Sequence, residues 1–239
     1  MTAFVISAAG LGSRLGMNMP KCLLPIKSGR LIDYQLALLG PDADVRLVVG
    51  YMEKDVVSYV GARWPNVSYV RNPAYASTSN TFSLYLASRL LKGPFVAIDG
   101  DLLIEPASFS AFLRHCASAQ RTTVGITRRT TDEAVGVQLD DKGNDNEGNI
   151  VRFLLATESN YSSCAFEWSG IAYFKDVEVQ PNSRFVFEEL AKSLPLPAFE
   201  IVCYEIDTLG DLARATERAA SVDITIPDMP SVHIPPTIA

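Results

Sequence analysis

Residues 4–21, Phe-Val-Ile-Ser-Ala-Ala-Gly-Leu-Gly-Ser-Arg-Leu-Gly-Met-Asn-Met-Pro-Lys, constrain the fold more than any other stretch of the chain. Phe4, Val5 and Ile6 form an unbroken apolar run, the pattern of a strand buried on both faces. The run gives way to Gly10 and Gly12, where a backbone without Cβ can bend sharply and approach a ligand closely. Successive N–H groups in such a bend make a concave anion site. Arg14 and Lys21 add two positive charges to the same loop, and the whole suits a triphosphate.

Other sources for this pattern fit less well. Gly10-x-Gly12 with Gly16 has the outline of a dinucleotide fingerprint, but that motif needs a helix straight after its glycines, and Pro20 would fall in the first turns. An acid is also expected after the second strand, where the chain has Val48-Val49-Gly50-Tyr51. No Gly-Lys-Ser/Thr comes after the glycines, which excludes a Walker-type loop. An ordinary strand-to-loop turn would account for the glycines alone, but not for Arg14, Pro20 and Lys21 together.

Further along, apolar runs at 45–49, 67–70 and 94–98 alternate with helical patterns at 31–39, 55–60 and 81–91. Strands alternating with helices imply a parallel sheet covered on both faces. Right-handed crossovers then set the carboxyl ends of the strands, where ligands bind, along one edge. A short apolar run at 23–26 ends in the turn Lys27-Ser28-Gly29, Gly40-Pro41 closes the first helix, and Trp64-Pro65 lies beyond the second. The polar loop 72–80 leads into the third, and Ser79 and Asn80 stand where residues either cap a helix or line a ligand.

The run 94–98 meets Asp99-Gly100-Asp101. An acid at the end of a buried strand is costly unless something pairs with it. Mg²⁺ suits the position, since it takes one or two protein carboxylates and leaves its other sites to water and phosphates. A turn acid, or a cap for the helix near 106–116, is the alternative. After a fifth strand at 121–129, segments 135–139 and 150–155 flank a polar turn, 140–149, and read as a β-hairpin. Residues 166–174 form a further strand and 183–194 an amphipathic packing helix. A last strand, 201–207, sets Cys203, Glu205 and Asp207 on one face by its period of two. Thr208-x-x-Asp211 reads as a variant capping box for a helix to Ala220. Pro227, Pro230, Pro235 and Pro236 exclude a helix beyond Ile224. They leave an extended arm that packs along the domain or contacts another subunit. The expected division is one domain over 1–222, with about 130–175 as a β insertion, and a Pro-rich tail over 223–239.

A chain of 239 residues, 48% hydrophobic and 20% charged, can bury a sizeable core. Its net charge of −6 argues against nucleic acid as a partner. Cys22, Cys116, Cys164 and Cys203 lie far apart with no C-x-x-C pairing and read as reduced, mostly buried thiols. The start of the chain has neither a basic nor a long apolar segment, and no later stretch could span a bilayer. The expectation is a cytoplasmic protein with no membrane partner.

Ala8-Ala9-Gly10-Leu11-Gly12-Ser13-Arg14-Leu15 followed by Pro20-Lys21 resembles the signature of the nucleotidyltransferases that make nucleoside-diphosphate sugars and alcohols. The five-residue gap between Arg14 and Pro20 is similar to the short-loop phosphocholine and aminoalkylphosphonate cytidylyltransferase branch. Ser7 stands where the family usually has an apolar residue. The resemblance implies an α/β fold, a Rossmann-like, mostly parallel sheet of the GT-A-like kind with a small β-hairpin insertion. It implies transfer of a nucleoside monophosphate, with CMP from CTP favoured, to a small phosphate or phosphonate acceptor, releasing pyrophosphate. Sugar-1-phosphate transfer from UTP or another triphosphate, and a catalytically silent nucleotide-sensing domain, are the alternatives.

The same resemblance implies residue roles. Asp101 matches the metal aspartate of the family's strand-Gly-Asp motif. Tyr204-Glu205-Ile206-Asp207-Thr208-x-x-Asp211-Leu212 is similar to its closing motif, so Asp101 and Asp207 would share one Mg²⁺. Glu205 is an accessory candidate there, and Asp99 a supporting or structural one. Arg14, Lys21, Asp101 and Asp207 make up the implied catalytic set. Ala8, Ala9, Gly10, Leu11, Gly12 and Ser13, with Asn72, Ser79 and Asn80, would hold the nucleotide. Asn72, Tyr75 and Ser79-Asn80 followed by Ser83-Leu84 resemble the loop lining the nucleoside pocket. Ser169-Gly170-Ile171-Ala172-Tyr173-Phe174 resembles the strand behind the acceptor pocket, after which Lys175 is an acceptor-phosphate contact or a solvated lysine. Phosphocholine enzymes of the branch carry an aromatic where this chain has Glu133-Ala134, which speaks against phosphocholine. Trp168 either substitutes for that aromatic in space or belongs to the core. The tail is compatible with a homo-oligomer.

Overall fold

A computed structural model describes residues 2–140, 147–220, 222 and 224–227. In chain order the strands are β1 Ala3–Ser7, β2 Pro25–Ile26, β3 Gly29–Arg30, β4 Val45–Val49, β5 Ser68–Arg71, β6 Phe95–Asp99 and β7 Leu102–Ile104. They continue as β8 Thr123–Arg128, β9 Gly136–Leu139, β10 Glu147–Leu154, β11 Phe166–Phe174, β12 Leu196–Glu200 and β13 Cys203–Glu205. The helices are α1 Leu31–Leu39, α2 Glu53–Arg63, α3 Asn80–Ser88, α4 Pro106–Ala119, α5 Val186–Ala191 and α6 Leu209–Ala219, with single 3-10 turns at Ser13–Leu15, Lys21–Leu23 and Tyr161–Ser163.

Nine strands form the main sheet in the order β5-β4-β1-β6-β11-β8-β12-β10-β9. The first four are parallel, as their apolar runs demand, and bring the ends of β1, β4 and β6 to one edge. β11 enters antiparallel between β6 and β8, so that its first residues overhang that edge. The hairpin β9–β10 joins through β12, and β9 also pairs with β11. That last pairing curls β11-β8-β12-β10-β9 back on itself around Val124, Ile126, Val137, Ile150 and Phe166, all buried. The expected α/β sheet with a hairpin insertion is therefore the fold, although the turn of the hairpin, 141–146, lies outside the described residues.

Several boundaries differ from expectation. The packing helix of 183–194 is only Val186–Ala191, and it gives way to strand β12. Pro197, which lacks an N–H, hides that strand in the sequence. The last strand is not part of the main sheet. β13 pairs with β7 as a separate two-stranded ribbon, with Glu205 opposite Leu102. Thr208 does cap α6 and exchanges bonds with Asp211 as a capping box. Beyond α6, Ile224 and Ile226 pack on the cluster of Leu24, Ile26, Leu31 and Ile206, while the other tail prolines from 230 on lie outside the described residues. The four cysteines are buried free thiols, and no helix among the described residues is long and apolar enough to cross a membrane.

Candidate active site

β1 ends at Ser7 and the chain turns through Ala8–Gly12 along the carboxyl edge of the sheet. Ala8 N donates to Val48 O at 3.0 Å and Tyr51 N to Ala9 O at 3.0 Å, which pins the start of the loop to the end of β4. The N–H groups of Gly10, Leu11 and Gly12 donate to no carbonyl of the described residues. A backbone N–H without a protein acceptor must turn to water or to a ligand, so this bend keeps donors in reserve. Gly12 has φ +60, and a Cβ there would come within 2.9 Å of Lys21 Cγ. The glycine is needed both for the left-handed turn and for the passage of Lys21.

Pro20 starts the 3-10 turn Lys21–Leu23, which aims the Lys21 ammonium back across the loop. It donates to Asp101 Oδ2 at 2.7 Å and to Asp207 Oδ1. Arg14 pairs with the other oxygen, Asp207 Oδ2, at 2.7 Å. Asp101 comes after β6 in a turn that only glycine can make, because a Cβ on Gly100 would stand 2.6 Å from Ser7 O. Asp207 lies just past β13, and Ile206 N donates to Asp101 O at 3.0 Å, so the two acids are stitched together through the backbone. One carboxylate oxygen from each of Asp101, Glu205 and Asp207 lies within 4.8 Å of the others. The four residues of the implied catalytic set thus converge, and Glu205 joins them.

The electrostatics suit a cation. Burial alone would lower the Lys21 pKa, but Asp101 and Asp207 outweigh it and hold the ammonium up at about 12. Glu205 keeps an exposed edge, yet loss of solvent and then the charges of Asp101 and Asp207 push it up to about 8. Burial first, and Asp101 second, push Asp99 up to about 8. An oxygen-only donor set this crowded with negative charge fits a hard divalent ion. Lys21 already supplies a positive charge at two of the three carboxylates. Arg14 differs in kind, with its side chain 62% exposed against 15% for Lys21. An ion pair that open to water is worth about 0.2–1 kcal/mol, so Arg14 can exchange partners cheaply.

The second expected binding loop is built differently. Asn72 is buried, donates to Thr78 Oγ1 at 3.0 Å and Ser83 Oγ at 2.9 Å, and accepts from Ala74 N at 3.0 Å. Ser79 accepts from Phe82 N at 3.3 Å as the cap of α3 and donates to Ser183 O at 3.1 Å. It lines a cavity of about 530 Å³ with Thr78, Phe82, Asn182 and Arg184, a lining that shares no residue with the Lys21 cluster. Asn80 keeps a buried Oδ1 without a partner among the described residues, so it retains hydrogen-bonding capacity. Lys175 adjoins Phe174, which pairs with Phe95 at the start of β6, and bonds Gln120 Oε1. It therefore stands at the opposite edge from Asp99, as a solvated lysine would. Trp168 N donates to Val135 O at 2.8 Å, which brings Trp168 beside Glu133-Ala134, and the residue is half-buried against the cluster that includes Ile126, Val137 and Phe166.

One residue at this edge escaped the sequence reading. Tyr51 holds Ala9 through its N–H and donates its hydroxyl to Asn18 Oδ1 at 2.9 Å, joining both ends of the glycine loop. Its only signal is an aromatic placed directly after a buried strand.

Comparison with known proteins bears on the family and the fold. The MobA-like NTP transferase domain matches residues 4–221. The CMP-5'-(3-aminopropyl)phosphonate synthase of Streptomyces rubellomurinus is 32% identical over 131 residues, 52% of this chain, and the match spans only 20% of that relative. The 2-aminoethylphosphonate cytidylyltransferase of Lancefieldella rimae is 32% identical over 193 residues, 78% of this chain and 72% of its own. Among solved structures, the CTP:phosphocholine cytidylyltransferase of Streptococcus pneumoniae superposes with a TM-score of 0.67 at 24% identity, covering 91% of this chain and 99% of that one. The chain belongs to the MobA-like NTP transferase domain family.

Proposed function

We propose that the protein transfers CMP from CTP to a small phosphonate or phosphate acceptor that carries a primary amine, and releases pyrophosphate. The observation that carries this reading is the meeting of Lys21, Asp101 and Asp207 beside a bend whose amides have no partner among the described carbonyls. The names of the two phosphonate relatives support the choice of nucleotide and acceptor.

In this reading an acceptor oxygen attacks the α-phosphorus in line and pyrophosphate leaves from the far side. No protein nucleophile is needed, since positioning and charge neutralisation suffice. Asp101 and Asp207, with Glu205 beside them, would hold Mg²⁺, which when bound supplies Lewis-acid polarisation of the phosphate oxygens. With those carboxylates engaged, Lys21 and Arg14 turn to the phosphates. Lys21, fixed by its 3-10 turn, meets the charge that develops at the α-phosphate and on the leaving oxygen. Arg14 and the amides of Gly10, Leu11 and Gly12 take the β- and γ-phosphates. The Ala8–Gly10 backbone and the spare Asn80 oxygen suit the nucleoside. Glu133, where the phosphocholine branch has an aromatic, suits an ammonium with N–H donors better than a quaternary one.

The test is a screen of four nucleoside triphosphates against amino-alcohol phosphates, aminoalkylphosphonates, polyol phosphates and sugar-1-phosphates, with Mg²⁺, read as pyrophosphate. CTP with an aminoalkylphosphonate is expected to give the highest turnover, and EDTA or Asp101→Ala to abolish it. Release only from UTP with a sugar-1-phosphate would overturn the acceptor and the base. No release from any pair would overturn the reaction.

A further inference from the structure

α1 is buried over Leu31–Leu36, polar residues included. Gln35 is 1% exposed, and its Nε2 donates to Asp99 O at 2.9 Å and to Leu102 O at 3.0 Å. These two carbonyls bracket Gly100 and Asp101. Its own Oε1 is buried and has no partner among the described residues. A buried acceptor left unpaired gives up its hydration with nothing in return, so an amide is a poor choice here for packing alone. It supplies two N–H donors at one point, where two carbonyl oxygens would otherwise repel each other.

The same helix holds the opposite side of the site. Arg30 Nη1 donates to Leu23 O at 2.5 Å, and Leu31 N donates to Leu24 O at 3.0 Å, which fixes the turn carrying Lys21. The helix is itself anchored through Asp33, which accepts from Trp64 Nε1 at 3.0 Å and from Tyr59 Oη at 2.5 Å. α1 thus supports both the turn that carries Lys21 and the turn that carries Asp101, whose charged ends stand 2.7 Å apart. We infer that Gln35 is a positioning residue: its amide clasps the Asp99–Leu102 turn and holds the Asp101 carboxylate at the cation site. The inference rests on the reading of Asp101 as a metal ligand.

Four full-length proteins test it: the parent, Gln35→Met, Leu36→Val as a packing control on the same helix, and Asp101→Ala. Mn²⁺ binding to each nucleotide-free protein is followed by electron paramagnetic resonance, CTP binding in EDTA by calorimetry, and stability by thermal melting. Gln35→Met is expected to weaken Mn²⁺ binding about tenfold or more, the usual effect of losing a group that orients a ligand. It should leave CTP affinity in EDTA within about twofold, since Lys21 and the glycine loop keep their own supports. Leu36→Val should lower the melting temperature and keep Mn²⁺ affinity. Parent-like Mn²⁺ binding by Gln35→Met, with Asp101→Ala weakened, overturns the clasp and spares the metal reading. Equal loss of Mn²⁺ affinity in Gln35→Met and Leu36→Val also overturns it, because general loosening would then explain both. Parent-like binding by Asp101→Ala overturns the metal reading and the clasp with it.

Discussion

Two loops at the carboxyl edge, 8–21 with its glycines and two cations and 72–80 with uncharged Ser, Thr and Asn, have opposite hydrogen-bond balances. In the first, three consecutive amides have no described carbonyl and two cations lean on carboxylates that a metal could take over. In the second, the side chains of Asn72 and Ser79 are spent on the loop, on α3 and on Ser183, and of the expected contacts there only Asn80 has an unpaired buried atom among the described residues. Polarity shows that a loop can bind. Which loop does bind depends on which groups the fold leaves unused.

Substitutions can break or sharpen this contrast. The largest effect is expected from Lys21→Ala, a loss of turnover of about a hundred- to a thousandfold in a protein that still folds. Near-normal pyrophosphate release would remove the first loop from the chemistry. Gly12→Ala comes next. It forces a left-handed alanine and a methyl against Lys21 Cγ, 2.9 Å away, so turnover should fall about ten- to a hundredfold. A melting curve that shifts by only a few degrees would separate this from unfolding. Asn72→Ala acts on stability instead, at about 1–3 kcal/mol, because two hydroxyls and one N–H lose their partner. Urea unfolding measures it, and lost CTP affinity at undiminished stability would return Asn72 to the ligand. Ser79→Ala should cost least, about 1 kcal/mol, seen as faster hydrogen exchange in the first turn of α3.

The groups that meet at the candidate site were legible in the sequence because each sits at a local break. Gly12, Lys21, Asp101 and Asp207 all come shortly after a strand end or a proline, where pattern alone marks the edge of a sheet. Their supports were not legible. α1 has six consecutive buried residues, so the helical period that should send Gln35 and Asp33 to solvent says nothing there. β7 has three residues, too short for alternation to register, and β13, although its period of two shows, carries no local mark of pairing with β7 outside the main sheet. β12 is disguised by Pro197, and its neighbours β8 and β10 are brought to it only by the tertiary fold.

The ribbon β7–β13 has a mechanical consequence. A strand inside the nine-stranded sheet shares its register with neighbours on both sides, and a shift in one is felt across the layer. The carboxylates instead hang from a short hinge-like strip bolted to α1 and α6. In the proposed reaction, changes in the antiparallel half would suit a new acceptor while the acids keep their places, as a lathe accepts a different chuck without moving its cutting tool.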